Sequence, residues 1–344
     1  NVTEYLANHN DLANYFSPTN GFITTAQQEA GAINHYDNFG FAEGRNDGSI
    51  DVSELNSAIA EANIATGTTP ETASDASQIT TVFSITSGLT INGGSDVEFS
   101  TLLTNEALGN ISITNQNLTV DSGSISVDDA NLLSATTTGT VTASITTTER
   151  ITELKTLTET SNAYTIVISS ADATATAEDL SAIDGKTTAT IDATAVTSIS
   201  GTYDEVTALY ESAGVDNLGD EAISISDELT VTEANVIDGL TTGAITATIG
   251  NSRVSELVGG TPLLNANNNN AYIIAISSED AAVSASDLNA INALTTEVID
   301  LTNVTSITSS SLADLEILGT AIGNSEFSNA TGATTVAVLS LIHI

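Results

Sequence analysis

Residues 176–188, TAEDLSAIDGKTT, and residues 284–296, SASDLNAINALTT, are built on one plan. A Ser or Thr opens each. An Asp follows three positions later, then a Leu and an Ile three apart. A Thr-Thr pair stands eleven residues after the opening hydroxyl. A hydroxyl with an acid three residues on is the start signal of a helix, because the two side chains satisfy the first free amides. The acid also suits the positive end of the helix dipole. Leu180 and Ile183 then share one helical face, and Asp184-Gly185 supplies a stop. Thr190 to Ala195 alternates Ile191, Ala193 and Ala195, which predicts a strand.

The same plan recurs at Ser126/Asp129 with Thr137-Thr138 and at Thr230/Glu233 with Thr241-Thr242, in steps of 50, 54 and 54 residues. The second and fourth copies align without gaps at an offset of 108. Tyr164, Ile168, Asp172, Leu180, Ile183, Ile191, Asp192 and Ile199 map onto Tyr272, Ile276, Asp280, Leu288, Ile291, Ile299, Asp300 and Ile307. That is an internal repeat. Within a copy a second helix is expected after Thr202/Glu205, with Val206, Leu209 and Tyr210 as its apolar side, and a strand at 222–226. Ser95/Glu98 and Ser311/Asp314 mark similar helices. Each copy therefore reads strand–helix–strand–helix. A half copy has too few aliphatic side chains to offset the entropy of ordering it, so successive copies must shield one another. The expected fold class is α/β: a right-handed β–α solenoid, with a parallel sheet and short helices.

The N-terminal region differs. Seven of the fourteen aromatic residues lie in the first 41 positions, with His9 and His35. Leu6, Leu12, Tyr15 and Phe16 recur at near-helical spacing. Residues 1–65 are read as a small all-α module. Residues 66–78, of which 66–77 read TGTTPETASDAS, form a linker, and the solenoid spans 79–338. No Met occurs, so the natural start is expected to be missing. Residues 339–344, LSLIHI, resemble the translated end of a transposon used in sequencing, and are set aside with His343.

Forty-four acids against five bases give a net charge of −39. Nucleic-acid binding, which needs clustered cations, is excluded, and contact with an anionic membrane surface is disfavoured. No apolar run is long enough to span a bilayer. The absence of Cys removes disulfides, thiol chemistry and Cys-zinc sites. A chain that is 40% hydrophobic is too apolar for the disordered class.

Residues 43–54, EGRNDGSIDVSE, come near a calcium loop. Gly48 would take the sharp turn, and Asp47, Asp51 and Glu54 would supply oxygens. Glu43 stands where Asp is usual, and Arg45 stands where a ligand oxygen is needed. The competing reading is a turn with Ser53 capping the helix that carries Leu55 and Ile59. Calcium is the one cofactor these residues suggest. Asp172, Asp192, Asp280 and Asp300 recur at strand ends, where a row of calcium sites competes with ordinary turn chemistry; turn chemistry is preferred, because no second carboxylate recurs at ligand spacing. His9 and His35 have no Gly-x-Ser-x-Gly to work with, and a paired-carboxylate hydrolase has no singular segment to sit on. Thr-x-Thr triplets (Thr174/Thr176, Thr188/Thr190, Thr246/Thr248) fall on different elements, against an ice-binding array, and reflect β-propensity.

Two resemblances follow. Tyr5-Leu6-Ala7-Asn8, Asp11-Leu12, His35-Tyr36 and Phe39-Gly40-Phe41-Ala42-Glu43-Gly44-Arg45 resemble a helical module common in large secreted bacterial proteins. Residues 109–338, through segments such as Asp179-Leu180-Ser181-Ala182-Ile183-Asp184 and Gly185-Lys186-Thr187-Thr188, are similar to the Thr/Ala/Asp-rich repeats of giant cell-surface and secreted proteins of marine cyanobacteria. The resemblance implies export, a surface-layer, adhesion or motility role, and no catalytic residues. The glycine-rich calcium nonapeptide that often accompanies such modules is absent; Asn92-Gly93-Gly94-Ser95-Asp96 is a poor echo of it. The expectation is a non-enzymatic structural segment of a large extracellular or cell-surface protein, its partners extracellular glycans or further copies of itself. A calcium-dependent adhesin or carbohydrate-binding module, and repeats attached to a secreted hydrolase, are the alternatives.

Overall fold

The computed structural model describes residues 49–65, 83–84, 90–250, 253–259, 264, 269–308 and 310–330. The aromatic N-terminal segment with its two His residues, the linker and the LSLIHI end lie outside these residues. The chain is mixed α/β with parallel sheets, and it divides into two compact units. One runs to Val167 and includes Ile183–Ile191; the other holds Ile168–Ala182 and the chain from Asp192 onward.

In the first unit Ser49–Asp51, Thr90–Gly94, Asn117–Val120, Val141–Ser144 and Ala163–Val167 lie side by side in sequence order, all parallel. Register runs Ile50↔Ile91↔Leu118↔Val141. Ile91, Leu118, Val141 and Tyr164 are buried, while the alternate positions Thr142 and Thr165 face solvent. Parallel sheets usually bury both faces; here one face packs on helices. The strand Ser49–Asp51 and the helix Val52–Ala65, expected in the all-α module, belong instead to this sheet and its helices.

In the second unit Thr174–Thr176, Ser198–Gly201, Ala222–Leu229, Ile245–Ile249 and Ala271–Ile274 form another parallel sheet. Two short parallel pairs follow, Ala282–Ser284 with Ser306–Thr308 and Ile299–Asp300 with Phe327–Ser328. The expected strand at 222–226 is longer, Ala222–Leu229, and its register with the next strand shifts between Ser224 and Glu228.

The helices start where the capping signals sit. Thr230 accepts from the Glu233 N–H at 3.2 Å, and the Glu233 carboxylate accepts from the Thr230 N–H at 2.8 Å. Ser95/Glu98 and Thr202/Glu205 close the same reciprocal box. Where the acid is Asp, its shorter arm takes the hydroxyl proton instead: Ser126 and Ser284 donate to Asp129 and Asp287 at 2.6 and 2.7 Å. Leu180, Ile183, Val206 and Leu209 are fully buried, as their spacing requires.

The region 190–195 departs from the expected strand. Only Ile191–Asp192 is extended, because the Asp192 carboxylate accepts the Thr194 N–H at 2.9 Å and turns the chain. The next strand, Ser198–Gly201, belongs to a different sheet from Ile191–Asp192.

The Thr-Thr pairs tie each copy to the preceding strand. The first Thr donates to a backbone carbonyl about a repeat-half earlier: Thr137 to Gln116 (2.6 Å), Thr187 to Tyr164 (2.8 Å), Thr241 to Glu221 (2.7 Å) and Thr295 to Tyr272 (2.7 Å). It also accepts the N–H two residues on. The second Thr returns a backbone N–H to the same turn, as in Thr188 to Asn162 and Thr296 to Asn270.

Candidate functional site

The acids singled out by sequence are engaged in local hydrogen bonds. Asp192 Oδ1 accepts from the Thr194 amide and hydroxyl and from Asn217 Nδ2 at 2.8 Å. Asp300 Oδ1 accepts from the Thr302 amide and hydroxyl and from Asn329 Nδ2 at 2.8 Å. The Thr194 hydroxyl, with the Thr194 amide and Asn217, holds the Asp192 carboxyl below its ordinary range. Asn329 and Thr302 do the same at Asp300. Asp280 caps a helix of the preceding copy, accepting the Val254 N–H at 2.8 Å, and Arg253 pairs with Glu279. Glu149 and Asp227 act likewise on the Val127 and Tyr203 amides. Asp172 closes a short turn through its own amide to the Ser169 carbonyl.

Of the three residues of the calcium-loop reading, Asp47 lies outside the described residues. Glu54 lies on the helix Val52–Ala65, its side chain outside them. Asp51 Oδ1 accepts from the Ser53 amide at 2.8 Å and the Ser53 hydroxyl at 2.5 Å, so the cap is Asp51 rather than Ser53. Among the described residues no group of three or more His, Asp or Glu side chains could hold a metal ion. No described helix is long and apolar enough to cross a membrane.

What the structure does bring together is a polar depression of about 200 Å³ in the first unit. Ser134, Thr137, Thr138 and Gly139 reach it from the end of the helix Val127–Thr136 and the turn after it. Glu159, Ser161 and Asn162 reach it from the segment before the strand Ala163–Val167. Asn162 is its floor, only 1% exposed. Its Oδ1 accepts the Val141 N–H at 2.8 Å, and its Nδ2 donates to Ser134 Oγ at 2.9 Å. Tyr164 lies beneath, donating to the Ala130 carbonyl at 3.3 Å. Burial pushes its phenol up to about 12, and the charge of Glu159 acts in the same direction. Glu159 itself is exposed, with a φ of 61°. That left-handed backbone is familiar for Asn217, Asn269 and Asn329, which share it here, and uncommon for Glu.

The floor recurs in the second unit, where Asn270 accepts the Ile245 N–H at 2.9 Å and donates to Asp238 at 2.9 Å. The rim does not. The position equivalent to Glu159 at the 108-residue offset is Asn267, and the acid stands instead at Asp238, where Ser134 sits in the first unit. Sequence reasoning missed the depression because it sought what the copies share. The signal that could have found it is the opposite one, an acid at a position the repeat does not require.

A second buried acid belongs to the second unit. Glu221 is fully buried; its Oε2 accepts from the Tyr210 hydroxyl and the Gly219 amide, both at 2.8 Å. Its Oε1 has no partner. Burial, followed by the hydrogen bond to Glu221, pushes the Tyr210 phenol well above its ordinary value.

No family model matches the chain, and neither a curated protein nor a solved structure matches it.

Proposed function

We propose that the protein is a non-enzymatic structural segment, a right-handed β–α solenoid preceded by a small helical module, in a large exported protein of the cell surface or extracellular space. One observation supports this reading: the residues that repeat are used to bind each half-copy to the next. In all four copies the first Thr hydrogen-bonds a backbone carbonyl about half a copy earlier, within a strand at Tyr164 and Tyr272 and just before one at Gln116 and Glu221. Helix asparagines do the same, Asn131 donating to the Thr156 carbonyl at 3.1 Å and Asn289 to that of Asp314 at 2.9 Å. An enzyme concentrates reactive groups at one singular place, whereas the repeating polar groups of the described residues are distributed and largely bonded to one another. The acidic surface keeps such arrays soluble and apart in salt. Further copies of the chain and extracellular glycans are the partners of this reading.

Small-angle scattering tests the architecture. A compact globule of this length has a radius of gyration of about 20 Å. The solenoid reading expects a larger value and a skewed distance distribution; a symmetric distribution near the compact value overturns it. Protease shaving of intact producing cells tests the location, and protection of the protein from shaving counts against export.

A further inference from the structure

We infer that the depression bounded by Glu159, Ser161 and Thr138 is a binding site for a small organic ammonium group. The proposal stands on its own geometry and does not depend on the scaffold reading.

The hydrogen-bond inventory sets the ligand's chemistry. Four of the donors around the depression are committed inward. Asn162 Nδ2 donates to Ser134, Thr137 Oγ1 to the Gln116 carbonyl, and the Gly139 amide to Thr137. Thr138 Oγ1 lies 3.0 Å from the Thr114 carbonyl and 3.1 Å from Asn115 Oδ1. The other lining residues are the acid Glu159 and Ser161, beside the C-terminal end of the helix Val127–Thr136. That end carries the negative pole of the helix, and its last turn has no basic residue to offset it. A carboxylate beside the negative pole of a helix favours a ligand that donates hydrogen bonds and carries positive charge.

A metal ion fits less well. Calcium takes six to eight oxygens, usually with several carboxylates, and this rim offers one. An ammonium has three donors in a compact charge. Glu159 would take one of them in a charge-assisted bond; Ser161 and the helix carbonyls would take the others. The volume of about 200 Å³ admits the carbon skeleton that bears the group. The backbone at Glu159 supports a binding role. A left-handed φ is held by a non-glycine residue only where the surroundings impose it, and the equivalent position in the other unit dispenses with the acid.

The same ammonium could come from an amino sugar or from a lysine side chain of a protein partner. Amide NMR on the whole chain separates these sources. The probes are glucosamine and Nα-acetyl-lysine methylamide, with glucose and the norleucine analogue as their neutral counterparts and calcium chloride as the metal. One or both ammonium probes should shift the Gly139, Glu159 and Ser161 amides, and the neutral counterparts should not. The probe that binds identifies the source. Glu159→Gln should weaken the response at least about tenfold while leaving the melting temperature unchanged. Three results would each overturn the proposal: equal shifts with the neutral probes, retention of binding in Glu159→Gln, or silence from both ammonium probes. Calcium shifting the same amides more strongly than either ammonium would overturn it too.

Discussion

At Asp192 a single carboxylate oxygen receives three donors, and that arrangement explains why Asp rather than Asn stands at the end of a short strand. The Thr194 hydroxyl, the Thr194 amide and Asn217 all favour the charged form. The folded value therefore lies below the unfolded one. Its contribution is present in full above about pH 4, the unfolded value, and is lost as the pH falls through the folded value. Asp192→Asn should melt about 1–2 °C below the parent at pH 7, with the gap closing in strongly acidic buffer; a gap that persists there contradicts the assignment. Glu221 stands in a different setting. A fully buried carboxylate with one partnerless oxygen is a burden on the fold. Gln116 holds the equivalent place in the earlier copy, its carbonyl likewise receiving the Thr of the next pair. Glu221→Gln should keep the Tyr210 and Gly219 bonds and raise the melting temperature by about 2–4 °C, measured by calorimetry at pH 7.

The elements are short, and the bonds that bridge them carry their stability. Thr187 accepts the Tyr164 amide at 2.8 Å and the Ala189 amide at 3.1 Å while donating to the Tyr164 carbonyl. Thr187→Val leaves these buried groups unpaired and should cost about 2–3 kcal/mol, read from urea unfolding. Gly139 and Gly243 explain themselves by contact. A β-carbon on either would stand 2.2 Å from a backbone oxygen, that of Gln116 or Glu221. Gly139→Ala should cost about 1–3 kcal/mol. Gly319→Ala, in a helix with open space around it, should instead add about 0.5–1 kcal/mol. Helix starts were legible in the sequence because a cap is a local matter of three residues. The Thr pairs were legible as a recurring mark but not as a function, since their partners lie 20 or more residues away. The strand ending at Asp192 was misjudged because alternation of Ile191, Ala193 and Ala195 outweighed the turn chemistry of one Asp. The depression was illegible for a related reason: its floor belongs to the repeat and its acid does not.

For the molecule as a whole the dominant quantity is charge. Thirty-nine net negative charges repel one another in the folded state more than in an expanded chain. Salt shortens that repulsion to about 8 Å at physiological strength. The melting temperature should therefore rise between 0.02 and 0.5 M sodium chloride, and rise equally with potassium chloride. A fall with added salt would mean that attractive pairs dominate. Such a result would be hard to reconcile with five bases in the chain.

The parallel pairings have a consequence for how the protein is made. Thr142 pairs with Ala163, Ser198 with Ala222, Thr246 with Ala271 and Ala282 with Ser306. Each of these strands meets a neighbour that has only just been synthesised. Topologies with such near-range pairing lose little entropy on closure and fold quickly. These parts of the polypeptide can settle strand by strand in the direction of its emergence.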